Sequence, residues 1–297
     1  MNSSTPFVSI IVPVLNEAEL IEASLRQLRN LGPDLEIIVV DGGSADGTWS
    51  LAEPLADCVI SARRGRASQM NAGAAVARGE VLWFMHADLE APSHSIAQIQ
   101  EALNNPRMVG GCFRLRFPRP ELIYRVSDSL GNLGVNVFGF SLGDHGIFCR
   151  RTVFRQVRGY PDVPILEDAE IYRRLRREGR MVQLRGEVVS DPRAFETHGR
   201  YRTTAVYFSI LALYVLGVPI RILNRIHRRF REQGLPALEK PNGRTPRDKI
   251  RSDWRDFLRI ARAENGLAER NTGSAGSRPR SPARWAGAGK TGRTSRS

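Results

Sequence analysis

Four short clusters in this 297-residue chain combine carboxylates with turn-forming residues, and each follows an apolar run. The first is Pro13-Val14-Leu15-Asn16-Glu17. As plain structure, Asn16 would cap a helix and Glu17 would sit in its first turn, where negative charge is favoured. The second is Asp41-Gly42-Gly43-Ser44-Ala45-Asp46-Gly47-Thr48. It looks like a calcium loop, but Gly43 stands where such a loop needs an oxygen ligand, so that chemistry is excluded. What remains is a tight turn capped by Ser44 or Asp46, or an Asp at a strand end that grips a base or a ribose. The third is His86-Ala87-Asp88. A carboxylate here suits a divalent cation shared with diphosphate oxygens, because magnesium takes one or two carboxylates plus substrate phosphates. Its plainer reading is an Asp turn ahead of Pro92. The fourth is Glu167-Asp168, two acids that either favour a helix dipole or present a general base at a helix start.

Other chemistries lack their motifs. No GxGxxG follows the first apolar run, no GxxxxGK[ST] occurs, and GxSxG is absent, which disfavours dinucleotide oxidoreductases, P-loop enzymes and the usual hydrolases. A sugar nucleotidyltransferase would need a Gly-rich, Lys-bearing loop after the first strand, yet that loop is PVLNE and no Lys precedes Lys240.

The elements that must hold these clusters alternate. Residues 8–15, 35–40, 58–61 and 81–85 are short β-branched or apolar runs, as buried parallel strands should be. Between them, 16–29, 46–55 and 68–77 read as helices. This pattern predicts an α/β fold with a mostly parallel sheet flanked by helices. In such sheets ligands gather beyond the carboxyl ends of the strands, where these clusters fall. Further on, 93–103 and 166–178 read as helices, 108–117 as a strand, and 146–149, 181–184 and 187–189 as short strands. The stretch 120–143, rich in Gly, Asn and aromatics, fits neither period.

Taken in order, the strings VSIIVPVLNE, IIVVDGGSADGT, GRASQMNAGAAVARGEVLWFMHAD, GDHGIFCRR and PILEDAEIYRRLRREGR resemble family 2 glycosyltransferases of the GT-A fold, over about residues 7–200. Within that family they look most like the arsenosugar-biosynthesis or selenodomain-associated subgroup, which also carries HAD where relatives carry DxD. The resemblance implies a Rossmann-like GT-A sheet and a role for each matching position. Pro13, Asn16 and Glu17 would cradle the base and ribose of a nucleotide-sugar donor, Asp41 would bond the base, and Arg66, Asn71 and Ala87 would lie near the nucleotide and its phosphates. Asp88 would bind Mg²⁺ or Mn²⁺, and Asp168, with Glu167 beside it, would be the catalytic base of an inverting transfer. Asp144 and His145 would line the acceptor side. His86 departs from the family pattern: a neutral imidazole ligates metal but brings no charge, so metal affinity without substrate should be weak. His198 is a further candidate ligand. The rival classes are a sugar nucleotidyltransferase and a catalytically inactive nucleotide-binding or membrane-peripheral relative.

The charge is unevenly placed. The net charge is +13, yet residues 1–220 hold 24 basic and 24 acidic residues, while 221–297 hold 20 and 7. A neutral body with a basic tail does not suit a nucleic-acid enzyme, whose footprint would spread over the fold, and the tail has few aromatic platforms for stacking. Three widely spaced cysteines argue against a disulfide framework and for a reducing compartment. The N-terminus reads as a strand and not as a signal sequence. Residues 203–220 carry no charge over 18 positions, the lower edge of the roughly 17–25 residues that span a bilayer. Since a nucleotide-sugar donor is cytosolic and the basic tail favours the same side, a helix lying on or dipping into the anionic inner leaflet is expected, with packing on the body as the alternative. The chain then divides into a catalytic domain, 1–200, an apolar and basic amphipathic helical appendage, 201–232, and a basic tail, 233–297, with one short helix over 249–262 and disorder beyond about 266. The expected location is the cytoplasm, peripheral on the inner face of the membrane, and a lipid-linked acceptor is the matching expectation if the segment meets lipid.

Overall fold

The computed structural model describes residues 7–191 and 199–232. The expected helix over 249–262, the tail, and His198 lie outside the described residues.

The first strand, β1 (Val8–Val14), and the second, β2 (Leu35–Asp41), are buried at every position, as their unbroken apolar runs require. Along β1, Val8, Ile10, Val12 and Val14 feed one core and Ile11 feeds the other. The first core is closed by α1 (Ile21–Arg29) through Ile21, Leu25 and Leu28, with Ala52 of α2 (Thr48–Ala52). The second core is covered by α3 (Arg66–Val76), whose Ala67, Met70 and Ala74 lie flat on the sheet. Gly73 makes that approach possible: a Cβ there would stand 2.6 Å from Ile11 and 2.9 Å from Val40.

The remaining elements are β3 (Cys58–Ser61), β4 (Val81–Phe84), β5 (Leu89–Glu90), α4 (Ser95–Leu103), β6 (Met108–Arg116), α5 (Leu122–Val137), β7 (Phe148–Arg150), α6 (Arg151–Gln156), α7 (Glu167–Glu178) and β8 (Arg180–Ser190). Eight strands form one sheet in the order β3-β2-β1-β4-β7-β6-β8-β5. The first four are parallel, β7 runs against both its neighbours, and β6 and β8 are parallel again. The two short strands expected over 181–189 are thus one strand. From Cys112↔Gln183 to Arg114↔Glu187 its partner advances two residues while it advances four, and this irregularity breaks the alternation read from sequence.

The stretch without a clear period is the helix α5. Its Asn132 accepts from the Leu115 backbone N–H and donates to the Leu115 carbonyl, both at 2.9 Å, so a side-chain amide pairs with strand β6. Asp128 accepts from the Phe117 N–H at 3.1 Å. The Asn and Gly residues that weaken helix propensity are therefore spent on tertiary contacts, which override it.

The apolar segment is α8 (Arg200–Val215), ended by Gly217 with φ 83° and by Pro219, after which α9 (Ile220–Glu232) begins. Among the described residues no helix is long and apolar enough to cross a membrane. The apolar side of α9 (Leu223, Ile226, Phe230) is buried, with Tyr207 of α8 against His227 and Arg202 over the Phe230 ring at 5.0 Å. At its other end α8 is fixed to the body by Tyr214. Its hydroxyl donates to Glu170 Oε1 of α7 at 2.5 Å, accepts from Arg173, and its ring meets Phe140 edge-on.

One buried charge lies within the sheet. Glu36 of β2 accepts from Ser9 Oγ at 2.5 Å, from the Arg78 backbone N–H at 2.8 Å and from Arg78 Nε at 2.6 Å. Burial opposes its charge, but the bonds from Ser9 and Arg78 outweigh it and hold the carboxyl below its ordinary range.

Candidate active site

The loops after β1 and β2 are laced together. Asp41 accepts from the Ser44 N–H at 3.0 Å and from Ser44 Oγ at 2.5 Å. Ser44 Oγ in turn accepts from the Asn16 N–H at 2.9 Å, and Asn16 Oδ1 accepts from the Ala45 N–H at 2.9 Å. Asn16 sits at φ 55°, a left-handed conformation that Asn tolerates better than most residues. The Glu17 N–H donates to Thr48 Oγ1 and the Ala18 N–H to Asp46 Oδ2. Pro13 is buried within β1, beside this pair of loops. Gln69 of α3, which the sequence reading passed over, donates to the carbonyls of Val14 and Val40 at 2.8 and 2.9 Å and so joins the two strand ends. A single Gln in an Ala-rich helix face turned to the sheet was the available signal.

Asn71 has another task. Both ends of its amide go to the Tyr160 backbone, at 2.9 and 2.8 Å, so it positions Tyr160 and is not turned toward the donor loops.

Asp168 and His86 meet at one glycine, and the other acids share a cation with Asp168. The 3₁₀ turn Gly143–His145 runs between the end of β4 and the start of α7. A Cβ on Gly143 would lie 2.5 Å from both Asp168 Oδ2 and His86 Nε2. These two atoms are therefore at most 5.0 Å apart, because each is 2.5 Å from the same point. Asp168 and Glu167 are buried in the first turn of α7, aimed by Leu166, whose φ of 61° is a left-handed strain of about 1 kcal/mol or more. The Tyr160 hydroxyl lies alongside Asp168, and neither it nor Asp168 Oδ1 has a well-formed hydrogen-bond partner.

The electrostatics follow from crowding acids in a partly closed space. Burial, then the charge of Glu167, pushes Asp168 up to about 8, against the pull of Arg66. Burial and then Asp144 push Asp88 up to about 6. Burial and the charge of Arg66 push His86 down to about 4, so its imidazole is neutral. Arg66, at the start of α3, is exposed along its length. Crowding at its guanidinium opposes the charge, yet Asp144, Asp168, Glu167 and Asp88 hold its pKa above the ordinary value. Arg66 is thus the cation that serves all four acids. His145 is buried and its Nδ1 lies 3.2 Å from the Phe113 carbonyl, an acceptor, so that nitrogen carries the proton. Its Nε2 lies toward Gly131 of α5, and Asp144 of that pair joins the acids that share Arg66.

An open cleft of about 620 Å³ reaches Asp88 and Ala87, with Leu20, Gln27, Arg119 and Val189 on its walls. Among the described residues no group of three or more His, Cys, Asp or Glu could hold a metal ion. Asp88 and the neutral His86 offer one carboxylate and one imidazole. That donor set fits a divalent cation that takes the rest of its shell from a diphosphate and water, and does not fit a preformed metal site.

Residues 9–158, half of the chain, match the model of glycosyl transferase family 2. The chain belongs to that family. This family 2 chain is 30% identical over 157 residues to an undecaprenyl-phosphate 4-deoxy-4-formamido-L-arabinose transferase of Pectobacterium carotovorum subsp. carotovorum, covering 48% of this chain and 47% of the relative. It is 36% identical over 106 residues to a dolichol-phosphate mannosyltransferase of Pyrococcus furiosus, covering 33% and 30%. The matches span about half the length of such relatives or less. In fold it is similar to a mannosyltransferase of Pyrobaculum calidifontis solved with GDP-Man and Mn²⁺, with a TM-score of 0.55, 20% identity, and coverage of 86% and 81%. The family 2 fold expected from sequence, a mostly parallel sheet flanked by helices, is therefore the fold found.

Proposed function

We propose that the chain is an inverting glycosyltransferase that moves a sugar from a nucleoside-diphosphate donor, a UDP-sugar, to a hydroxyl of a lipid-linked acceptor. The observation that carries this reading is that Asp168, with an unpartnered and buried oxygen, meets His86 at Gly143 and shares the charge of Arg66 with Asp88. A base and a group suited to a leaving diphosphate are then served by one cation.

In this mechanism Asp41 and the Asn16–Glu17 loop hold the base and ribose. Asp168 takes the proton of the acceptor hydroxyl. The freed oxygen attacks the anomeric carbon, the bond to the diphosphate breaks, and the nucleoside diphosphate departs with the electron pair. Arg66 turns from the acids to the diphosphate and stabilises its growing charge. Asp88 and His86 would hold Mg²⁺ or Mn²⁺, which supplies Lewis-acid stabilisation of the leaving group. Asp144 orients the acceptor. The raised pKa of Asp168 supports it as a base, because a base tuned toward neutrality transfers protons most efficiently.

The relatives above, named for undecaprenyl-phosphate and dolichol-phosphate transfer, support a lipid-linked acceptor. The HAD string and the arginine-rich RYRTT start of α8 support the arsenosugar or selenodomain-associated subgroup. In this reading residues 1–200 are the catalytic domain, 201–232 the helical appendage and 233–297 the tail, with the protein peripheral on the cytoplasmic face of the membrane.

The test is release of nucleoside diphosphate from a panel of UDP- and GDP-sugars, with Mg²⁺ or Mn²⁺ and then with EDTA, beside Asp168→Asn. Metal-dependent turnover of one donor, lost in the variant, is expected. Failure to bind any nucleotide sugar would sink the proposal.

A further inference from the structure

The exposed apolar side chains are concentrated on one helix. Of eleven large hydrophobic side chains exposed among the described residues, six belong to α5 and its last residue's neighbour: Leu122, Val126, Leu130, Leu133, Val137 and Phe138, each 39–76% exposed. The five from Leu122 to Val137 are spaced by three or four residues and make one stripe along a helix of about 24 Å, with Phe138 just past its end. The opposite side of α5 is turned to the body: Asn132 and Asp128 bond strand β6, and Tyr124 and Val135 are buried.

The stripe continues beyond α5. Phe138 stacks on Phe140, Phe140 meets Tyr214 of α8, and the next residues of α8, Val215 and Leu216, are 43% and 78% exposed. The charges beside this strip are mostly arginines, with the exposed Glu121 just before α5 as an acid among them. Arg125 is the only charged residue among the exposed positions of α5, and the exposed Arg173 and Arg176 of α7 border its far end, with Arg176 against Gly139 and Arg173 over the Tyr214 ring. An isologous dimer through this face would set arginine rim against arginine rim. Apolar side chains rimmed by arginine suit an anionic bilayer surface instead.

The strip is also near the chemistry. Gly131, on the inner side of α5, lies against His145, and His145 belongs to the turn whose Gly143 touches Asp168 and His86.

We propose that the α5 stripe and the end of α8 form the membrane-contacting face, and that the acceptor is an amphiphile whose reacting oxygen lies in the headgroup layer. This rests on the glycosyltransferase reading for the acceptor's role, though not for the binding itself.

The experiment uses the full chain and vesicles of phosphatidylcholine with and without phosphatidylglycerol, in sedimentation assays at low salt and at about 0.5 M NaCl, where exposed charges are screened within a few ångströms. Leu130→Glu/Leu133→Glu and, separately, Val126→Glu/Val137→Glu are compared with the parent, with melting curves and nucleotide titration on the same samples. The parent is expected to bind anionic vesicles with a component that survives high salt. Each variant should lose that component about tenfold or more, with melting and nucleotide affinity unchanged. Three results would overturn the proposal: equal partitioning of parent and variants at high salt, parent binding that vanishes entirely with salt, or a parent dimer that the variants dissociate. If the parent binds no nucleotide, the transferase reading fails while the vesicle result stands on its own.

Discussion

Replacing Asp168 by Asn is expected to lower turnover by about 10²–10⁴-fold, the usual contribution of a positioned base. The same change should raise the melting temperature. The folded protein holds this carboxyl near 8 against an ordinary 3.8, so the fold prefers the protonated form. Its stability is then fullest below pH 3.8 and declines as pH rises through 8. Asparagine removes that decline, so the gain in melting temperature should be small at pH 4 and large at pH 8. A gain that did not grow with pH would refute this account. Gly143 is the second sensitive residue. Gly143→Ala drives a methyl into Asp168 Oδ2 and His86 Nε2, and turnover should fall at least tenfold while the melting temperature drops by the few degrees that about 1–3 kcal/mol implies. Asp88 and Asp168 are legible in the sequence because each ends an apolar run with an acid. The cradle at Gly143, the left-handed Leu166 and the stitching by Gln69 are not, because they depend on elements distant in the chain. His145 and Asn71 are legible as polar residues in the right strings, but only packing decides which way they face.

Among the elements, the early strands and helices were readable because one period governs each. The helix α5 was not, since its Asn132 and Asp128 serve as partners for strand β6 and its apolar residues face outward. A helix with an exposed apolar stripe inverts the pattern by which helices are recognised. The β8 irregularity misleads in the same way, by shifting the alternation midway. The β1–β2 pair carries its own test in Glu36. Glu36→Gln leaves the shape and removes the charge that Ser9 and Arg78 serve, and should cost about 2 kcal/mol in denaturant unfolding. The Glu36 carboxyl is held below its ordinary 4.5, so it contributes stability above that pH and loses it as pH falls through its folded value. The variant should therefore show a flatter loss of stability on the acid side than the parent.

At the scale of the whole molecule, a parallel half-sheet that holds the laced loops after β1 and β2 is joined through the antiparallel β7 to the half that carries α5 and precedes α7. The segment expected to meet lipid has used much of its apolar surface inside the protein, since α9 is laid on α8 and α8 is anchored to α7. That anchor is Tyr214, bonded to Glu170 only two residues beyond Asp168. A load on the end of α8 therefore has a path through this phenol to the helix that carries Asp168. If Asp168 is the base and the membrane face is as proposed, turnover follows interfacial and not bulk concentration. At fixed total acceptor, diluting the interface with inert phosphatidylcholine should slow turnover even though the bulk concentration is unchanged. Tyr214→Phe, which cuts the tie and leaves the ring, should keep its adsorption to the interface but lose most of any acceleration that the interface provides.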